Sequence, residues 1–462
     1  MLQINGIGTM VMTNFNELVQ HAGMHKLPKG FEEAFALYEP DDSKVLIDRD
    51  YYNALLAPYD LPKDKRSFLD ETLDAIEKDE KLLLFSKFFV WDMCSMRNKY
   101  DIDNYTELTP SCLGKCNEAY AFIVLLACVP VSEKEMIRRG IPKEYYEDIP
   151  HRMIRDHFKR YIETGKCDVL DMPWKLNFYT LTIFLLDRFL FIPYEHGEGF
   201  ELYRSKKTGK VVGIPNAGTT YDAEGQVIRW GGVDYGDESD VEEEEEKNIP
   251  GSGYEYATRK AKSDYVFTTT KEVKDNKVTG YYMNPVGFTE DKTVTLDLDE
   301  YECVLKQGDY LIALHIPGGE GYTPERMHNS MELALDFFKK YYPELTMKGF
   351  WSSSWLYDKR LEFIIGKGKN ITNVQNLMFR YSDGEDGSML YVHLYKTMDA
   401  ILKDTDCKTS LQIGAKERLL RGERFCTTGM MILKEEALNH KEYFTKEDET
   451  SFYNLMEKWG MQ

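Results

Sequence analysis

A chain of 462 residues is too long for one ordinary hydrophobic core, so two or three domains are expected. Hydrophobic residues make up 42% and aromatics 13%, enough for packed interiors, which excludes a globally disordered protein. With 58 basic against 78 acidic residues the net charge is −20. Such a surface repels a phosphate backbone, excludes nucleic acid as a default partner and suits a cationic amine better.

The N-terminal MLQINGIGTMVMTN lacks a basic segment followed by a long apolar core, so no signal peptide is expected. Eight scattered cysteines, with only Cys112 and Cys116 close together, complete no zinc spacing. Reduced thiols in a cytoplasmic protein without a metal are the expectation. From Asn14 to about Arg188 the apolar period is helical, notably in KRSFLDETLDAIEKDEKLLLFSKFFVWDM. The apolar run AYAFIVLLACVPV from Ala119 is shorter than the roughly 20 residues of a membrane span and is expected as a buried helix, with no membrane crossing. His151 and His157 fall among Arg152, Arg155 and Arg160. There a solvent-leaning amphipathic stripe is expected over a general base, with Pro150 kinking or restarting the helix.

From about Phe189 to Asp299 the period changes to two, with hairpins in FELYRSKKTGKVVGIP, TTYDAEGQVIRW and YVFTTTKEVKDNKVTGYYMNP. Between them, the acidic run Gly236–Gly253 lacks calcium-loop spacing and reads as a solvated loop.

Asp309 to Asp358 carries the chemistry. Tyr310–Ile316 is apolar on both faces apart from His315, as in a strand covered on both sides, and Pro317 ends it. Gly318, Gly319 and Gly321 permit a tight turn, Thr323 is a helix N-cap and Pro324 the first helical residue. Met327, Met331, Ala334, Phe338 and Tyr341 form one stripe, so the helix packs on a sheet. A return strand, MKGFWSSSWLYD, makes the unit a right-handed parallel crossover. The glycine turn at a helix start suits a pyrophosphate, although any tight turn would use the same residues. Neither GK[ST] nor GxGxxG is present, which disfavours ATP and NAD. Ser352, Ser353 and Ser354 between Trp351 and Trp355 either line a narrow slot or face a neighbouring element, and no GxSxG elbow makes one a nucleophile. Tyr357 and Asp358 close the strand where α/β loops carry chemistry, while His315 reads as a core histidine or a reserve base. After them come a short helix or loop at KNITNVQNLMF, a turn at Asp383–Gly387, a helix at LQIGAKERLLRG and a last strand near Thr427–Leu433.

GDYLIALHIP–GGEG–TPE with FFKKYYPE, SSWLYD and LQIGAKERLLRG resembles the GNAT-like C-terminal domain of two-domain bacterial N-acyltransferase-type proteins. RRGIPKEYYEDI and FLLDRFLFIPYE resemble their N-terminal domain. The resemblance implies an α+β or α/β architecture: a mostly helical domain over 1–188, then a GNAT-like mixed sheet flanked by helices. Residues 189–299 would be a β-rich flank with an acidic hairpin insertion at about 203–289, and 300–462 the GNAT-like domain. It also implies acetyl-CoA or another acyl-CoA as co-substrate, lying between splayed parallel strands. Pro317, Gly318, Gly319, Gly321, Tyr322 and Thr323 would hold its pyrophosphate, with Ser352, Ser353 and Ser354 along the slot. The signature Q/R-x-x-G-x-G/A is not present as such in IPGGEGYTPE. Direct attack by an amine, of a small molecule or a protein, needs a base, an oxyanion donor and an acid. Asp358 or Glu320 is the expected base, Tyr357 the acid and His315 the reserve. The rival expectations are a non-catalytic GNAT-like scaffold that binds a ligand or partner and, more weakly, a hydrolase.

Overall fold

A computed structural model describes residues 14–25, 27, 30–95, 108–233, 249–439 and 441–460. Most of the acidic run Gly236–Gly253 therefore lies outside the described residues. The chain forms two compact units, Met1–Leu185 and Leu186–Gln462. The division falls three residues before the expected limit at 188, and the expected limit at 299 falls within the second unit. Phe189–Glu195 is a strand of the main sheet and Tyr301–Leu305 pairs back with Phe200–Ser205, while Tyr203, Val212, Ile214, Val278, Tyr282 and Leu296 form a small core within the second sheet.

The first unit is helical. The expected long helix breaks at Asp79, which ends Lys63–Lys78 and starts Glu80–Cys94. Its carboxylate accepts from the amides of Lys81 and Leu82, an N-cap that wins over continuation of the helix. The apolar run from Ala119 belongs to a longer helix, Asn117–Arg138. By length and composition the segment Ser111–Arg138 that contains this helix could cross a membrane. Ala119 through Val129 are instead buried in the core, with Leu73, Phe85 and Phe89 of the two preceding helices. His157 corrects the expected surface stripe. It is 3% exposed and stacks on Phe122 at 3.8 Å between centroids, and burial holds its imidazole down to about 3. Pro150 lies in the first turn of Ile149–Thr164 and starts that helix, as its missing amide hydrogen permits.

In the second unit the main sheet runs, in spatial order, Phe189–Glu195, Tyr310–His315, Met347–Ser354, Thr428–Leu433 and Phe379–Ser382. A second sheet orders Phe288–Asp297, Lys277–Asn284, Val211–Pro215, Phe200–Ser205 and Tyr301–Leu305. Its hairpin at Lys274–Lys277 turns on Asp275 and Asn276, both at positive φ (49° and 59°), the geometry that matches strand twist. Phe200 packs on Tyr381 of the main sheet at 4.8 Å, so this second sheet covers one main-sheet face. The helix Pro324–Tyr341 covers the other, with Met327, Met331, Ala334, Phe338 and Tyr341 all buried. Thr323 caps it by accepting from the Arg326 amide.

Candidate active site

Tyr310–His315 and Met347–Ser354 pair in parallel at Tyr310–Met347, Ile312–Phe350 and Ala313–Trp351, and there the ladder stops. Each strand continues along its outer neighbour, His315 opposite Leu190 and Ser352–Ser354 opposite Met430–Thr428. The two strand ends therefore fork.

The loop Pro317–Thr323 lies at the mouth of the fork. Arg188 shapes it: its guanidinium donates to the carbonyls of Glu320 (2.7 Å), Pro317 (2.7 Å) and Gly319 (3.1 Å). In a trans peptide the following amide points opposite to the carbonyl, so the amides of Gly318, Glu320 and Gly321 turn away from Arg188. Gly319 and Gly321 need positive φ for this path, 110° and 91°. A Cβ added at Gly318 or Gly319 would meet nothing within 4 Å, so the space above the loop is open. The amides and the helix start make a positive rim suited to a pyrophosphate, and Arg188 fixes the loop from its carbonyl side.

Strand alternation separates the three serines. Ser352 and Ser354 face the helix side, whereas Trp351 and Ser353 face the second sheet. Ser352 accepts from the Tyr357 hydroxyl at 2.9 Å, Ser354 accepts from the Leu356 amide, and Ser353 bonds the Asp383 carboxylate. They do not line one slot. Tyr357 is fully buried, and burial raises its hydroxyl above the ordinary range, so it keeps its proton. Tyr322 presents a buried hydroxyl with no hydrogen-bond partner, beside Phe189 at 6.2 Å between ring centroids. A ligand with an oxygen acceptor at that depth would satisfy it.

Of the expected bases, Asp358 is buried and already engaged. Its oxygens accept from the amides of Arg360 (2.9 Å) and Cys426 (2.9 Å), and it pairs with the Arg360 guanidinium at 3.3 Å. It closes the turn after the strand, and a role as base does not fit that geometry. Glu320 is exposed on the loop. His315 sits at the end of its strand, and burial lowers its imidazole to about 4, leaving it neutral at pH 7 but weakly basic.

Sequence reading missed the carboxylate that fits. Asp383 follows Phe379–Ser382 and reaches Ser353 at the fork. Burial, then the nearby charges of Glu385 and Glu198, raise it to about 7 against the opposing Ser353 hydrogen bond. The only trace of it in the sequence was the turn SDGEDG, which is equally plain turn chemistry. Arg188 left no more signal than one cation between two apolar runs.

The sequence profile of the family described as GNAT-like C-terminal domain matches residues 235–431. Residues 235–431 are a GNAT-like C-terminal domain. The match takes in the Tyr310–His315 strand, the glycine loop, the return strand and Asp383 of this GNAT-like domain, but not Arg188. Comparison with curated protein sequences found no match. Solved structures share the fold over both units. An acyltransferase in complex with decanoyl-CoA and teicoplanin aligns with TM-score 0.52 at 13% identity, covering 90% of this chain and 98% of its own. An acyltransferase in complex with decanoyl-CoA gives TM-score 0.53 at 13% identity, covering 91% and 99%. An acyltransferase mutant in complex with octanoyl-CoA gives 0.52 at 13% identity, covering 91% and 99%. The chain thus has the fold of acyl-CoA-binding acyltransferases, with a GNAT-like sheet at its centre.

Proposed function

We propose that the protein is an acyl-CoA-dependent acyltransferase that moves an acyl group from the CoA thioester to an amine. The observation that carries this reading is the fork between two parallel strands, with a glycine loop and a helix start at its mouth. The solved structures of this fold that hold octanoyl-CoA or decanoyl-CoA support a medium-chain donor, and the one holding teicoplanin supports a small-molecule acceptor.

In this reading the acceptor ammonium gives its proton to Asp383. The amine nitrogen bonds to the thioester carbon, and the resulting oxyanion is met by a strand amide inside the fork. As the oxyanion collapses the C–S bond breaks, and the departing thiolate takes the Tyr357 proton. The second proton of the attacking nitrogen passes to the Tyr357 phenolate, leaving a neutral amide, the CoA thiol and a proton on Asp383 that goes to solvent. A carboxyl near 7 is well matched to the first step, because a base works best with its affinity near the working pH.

The experiment is a thermal-shift series with CoA, acetyl-, octanoyl- and decanoyl-CoA, paired with thiol release on adding amines. A ligand at a hundred times its Kd stabilises by about 2.7 kcal/mol, a shift of several degrees. A shift that grows with acyl length, and thiol release that needs an amine, are expected. Binding without release from any amine would favour a ligand-binding scaffold. No shift with any CoA at millimolar ligand would overturn the reading.

A further inference from the structure

Beneath Trp351 lies a buried polar network that neither the loop nor the fork requires. Glu198 is 9% exposed and follows the Phe189–Glu195 strand. One of its oxygens, Oε1, accepts from the hydroxyls of Tyr194 (3.0 Å) and Tyr381 (3.1 Å). The other, Oε2, lies 2.7 Å from Nδ1 of His196, whose Nε2 lies 3.0 Å from the Phe200 carbonyl. Tyr381 in turn accepts from the Trp351 indole at 2.8 Å, and Tyr194 stacks on that indole at 4.2 Å between centroids. Trp351 is the last residue laddered before the fork opens, two positions from Ser353.

The structure assigns Glu198 as a positioning residue for acyl transfer: through Tyr194 and Tyr381 it fixes the Trp351 indole at the fork, and it sets a buried negative charge beside Asp383. This rests on the reading of Asp383 as the base. Two features make the network more than packing. Burying a carboxylate is costly unless it is paired, and here every partner donates toward it from the fork side or from His196. Burial alone would push the Glu198 carboxyl up, but His196 and Tyr194 more than offset this and hold it below its ordinary range, so it stays charged. The groups that bear on Asp383 are Ser353 from the return strand, Glu385 on its own turn and Glu198 from across the sheet. Of these, Ser353 favours the charged carboxylate, and the two glutamates disfavour it. Removing the Glu198 charge should therefore let Asp383 ionise at lower pH.

The test is the pH profile of kcat/KM for Glu198→Gln beside Tyr381→Phe, together with titration of the Asp383 carboxyl by isotope-edited spectroscopy. In Glu198→Gln the acid limb should move to lower pH, with the Asp383 carboxyl moving equally. Tyr381→Phe keeps the charge but frees the indole, so kcat should fall several-fold while the acid limb stays. Glu198→Asp, the fallback if the glutamine variant does not fold, should behave like Tyr381→Phe. A glutamine variant with an unmoved limb and an unmoved Asp383 carboxyl overturns the assignment. So does uniform loss of activity in all three variants with no change of profile. If Asp383→Asn keeps full turnover, the base assignment fails separately, and the carboxyl titration still decides whether Glu198 acts on Asp383.

Discussion

Burial holds the Asp383 carboxyl at about 7 against an ordinary 3.8, so its effect on stability has a definite sign. The native state binds this proton more tightly than the unfolded chain does. Its contribution is complete below pH 3.8 and is lost as pH rises through 7. Asp383→Asn carries no charge to bury, so it should melt with the wild type near pH 4 and several degrees above it at pH 8. The same change should cut turnover by about 10²- to 10⁴-fold while leaving acyl-CoA affinity intact. Equal melting at pH 8 would mean that the carboxyl is not desolvated, and unchanged turnover would mean that it is not the base. Tyr357→Phe tests the acid. It removes one buried hydrogen bond to Ser352, worth about 1 kcal/mol, and should lower kcat far more than it raises KM for acyl-CoA. A leaving group of lower basicity than CoA thiolate should recover part of that loss, whereas a packing defect would be indifferent to the leaving group.

At the level of elements, the strand–turn–helix–strand was legible because each rule agreed with its neighbours. Apolar runs, glycines, Thr323, Pro324 and a stripe from Met327 to Tyr341 all point to one crossover, and the parallel ladder has that form. What the sequence hid was long-range. Arg188 is more than a hundred residues before the loop whose carbonyls it gathers, and Asp383 meets Ser353 only because Thr428–Leu433 pairs with both of their strands. Asp79 failed for the opposite reason, since a local cap overrode a long apolar period. The loop's dependence on Arg188 can be tested directly. Arg188→Ala removes three donors to carbonyls, and without them the loop amides lose their common direction. Affinity for acyl-CoA should fall at least tenfold in calorimetric titration, with the melting temperature of the free protein shifting by only a few degrees. Unchanged affinity would show that the loop amides do not hold the donor.

Across the whole molecule, the two units carry buried ionisable groups of opposite sense. In the helical unit His157 binds its proton at about 3 rather than 6.5, so the stability it confers is present above 6.5 and lost as pH falls. Near pH 5 that loss is about 2 kcal/mol. In the unit built on the GNAT-like sheet, Asp383 acts the other way and gains at most about 3 kcal/mol between pH 7 and pH 5, less where solvent screens its exposed edge. Each unit has its own core, the first around Phe85, Phe122 and Leu126 and the second around the two sheets. Scanning calorimetry from pH 8 to pH 5 should therefore resolve two transitions that move in opposite directions. His157→Phe should remove the acid sensitivity of one, because a ring that still stacks on Phe122 has no proton to take up. Asp383→Asn should flatten the other, and decanoyl-CoA should raise only that one. Two transitions that fall together on acidification, in wild type and both variants alike, would show that neither buried group governs the stability of its unit.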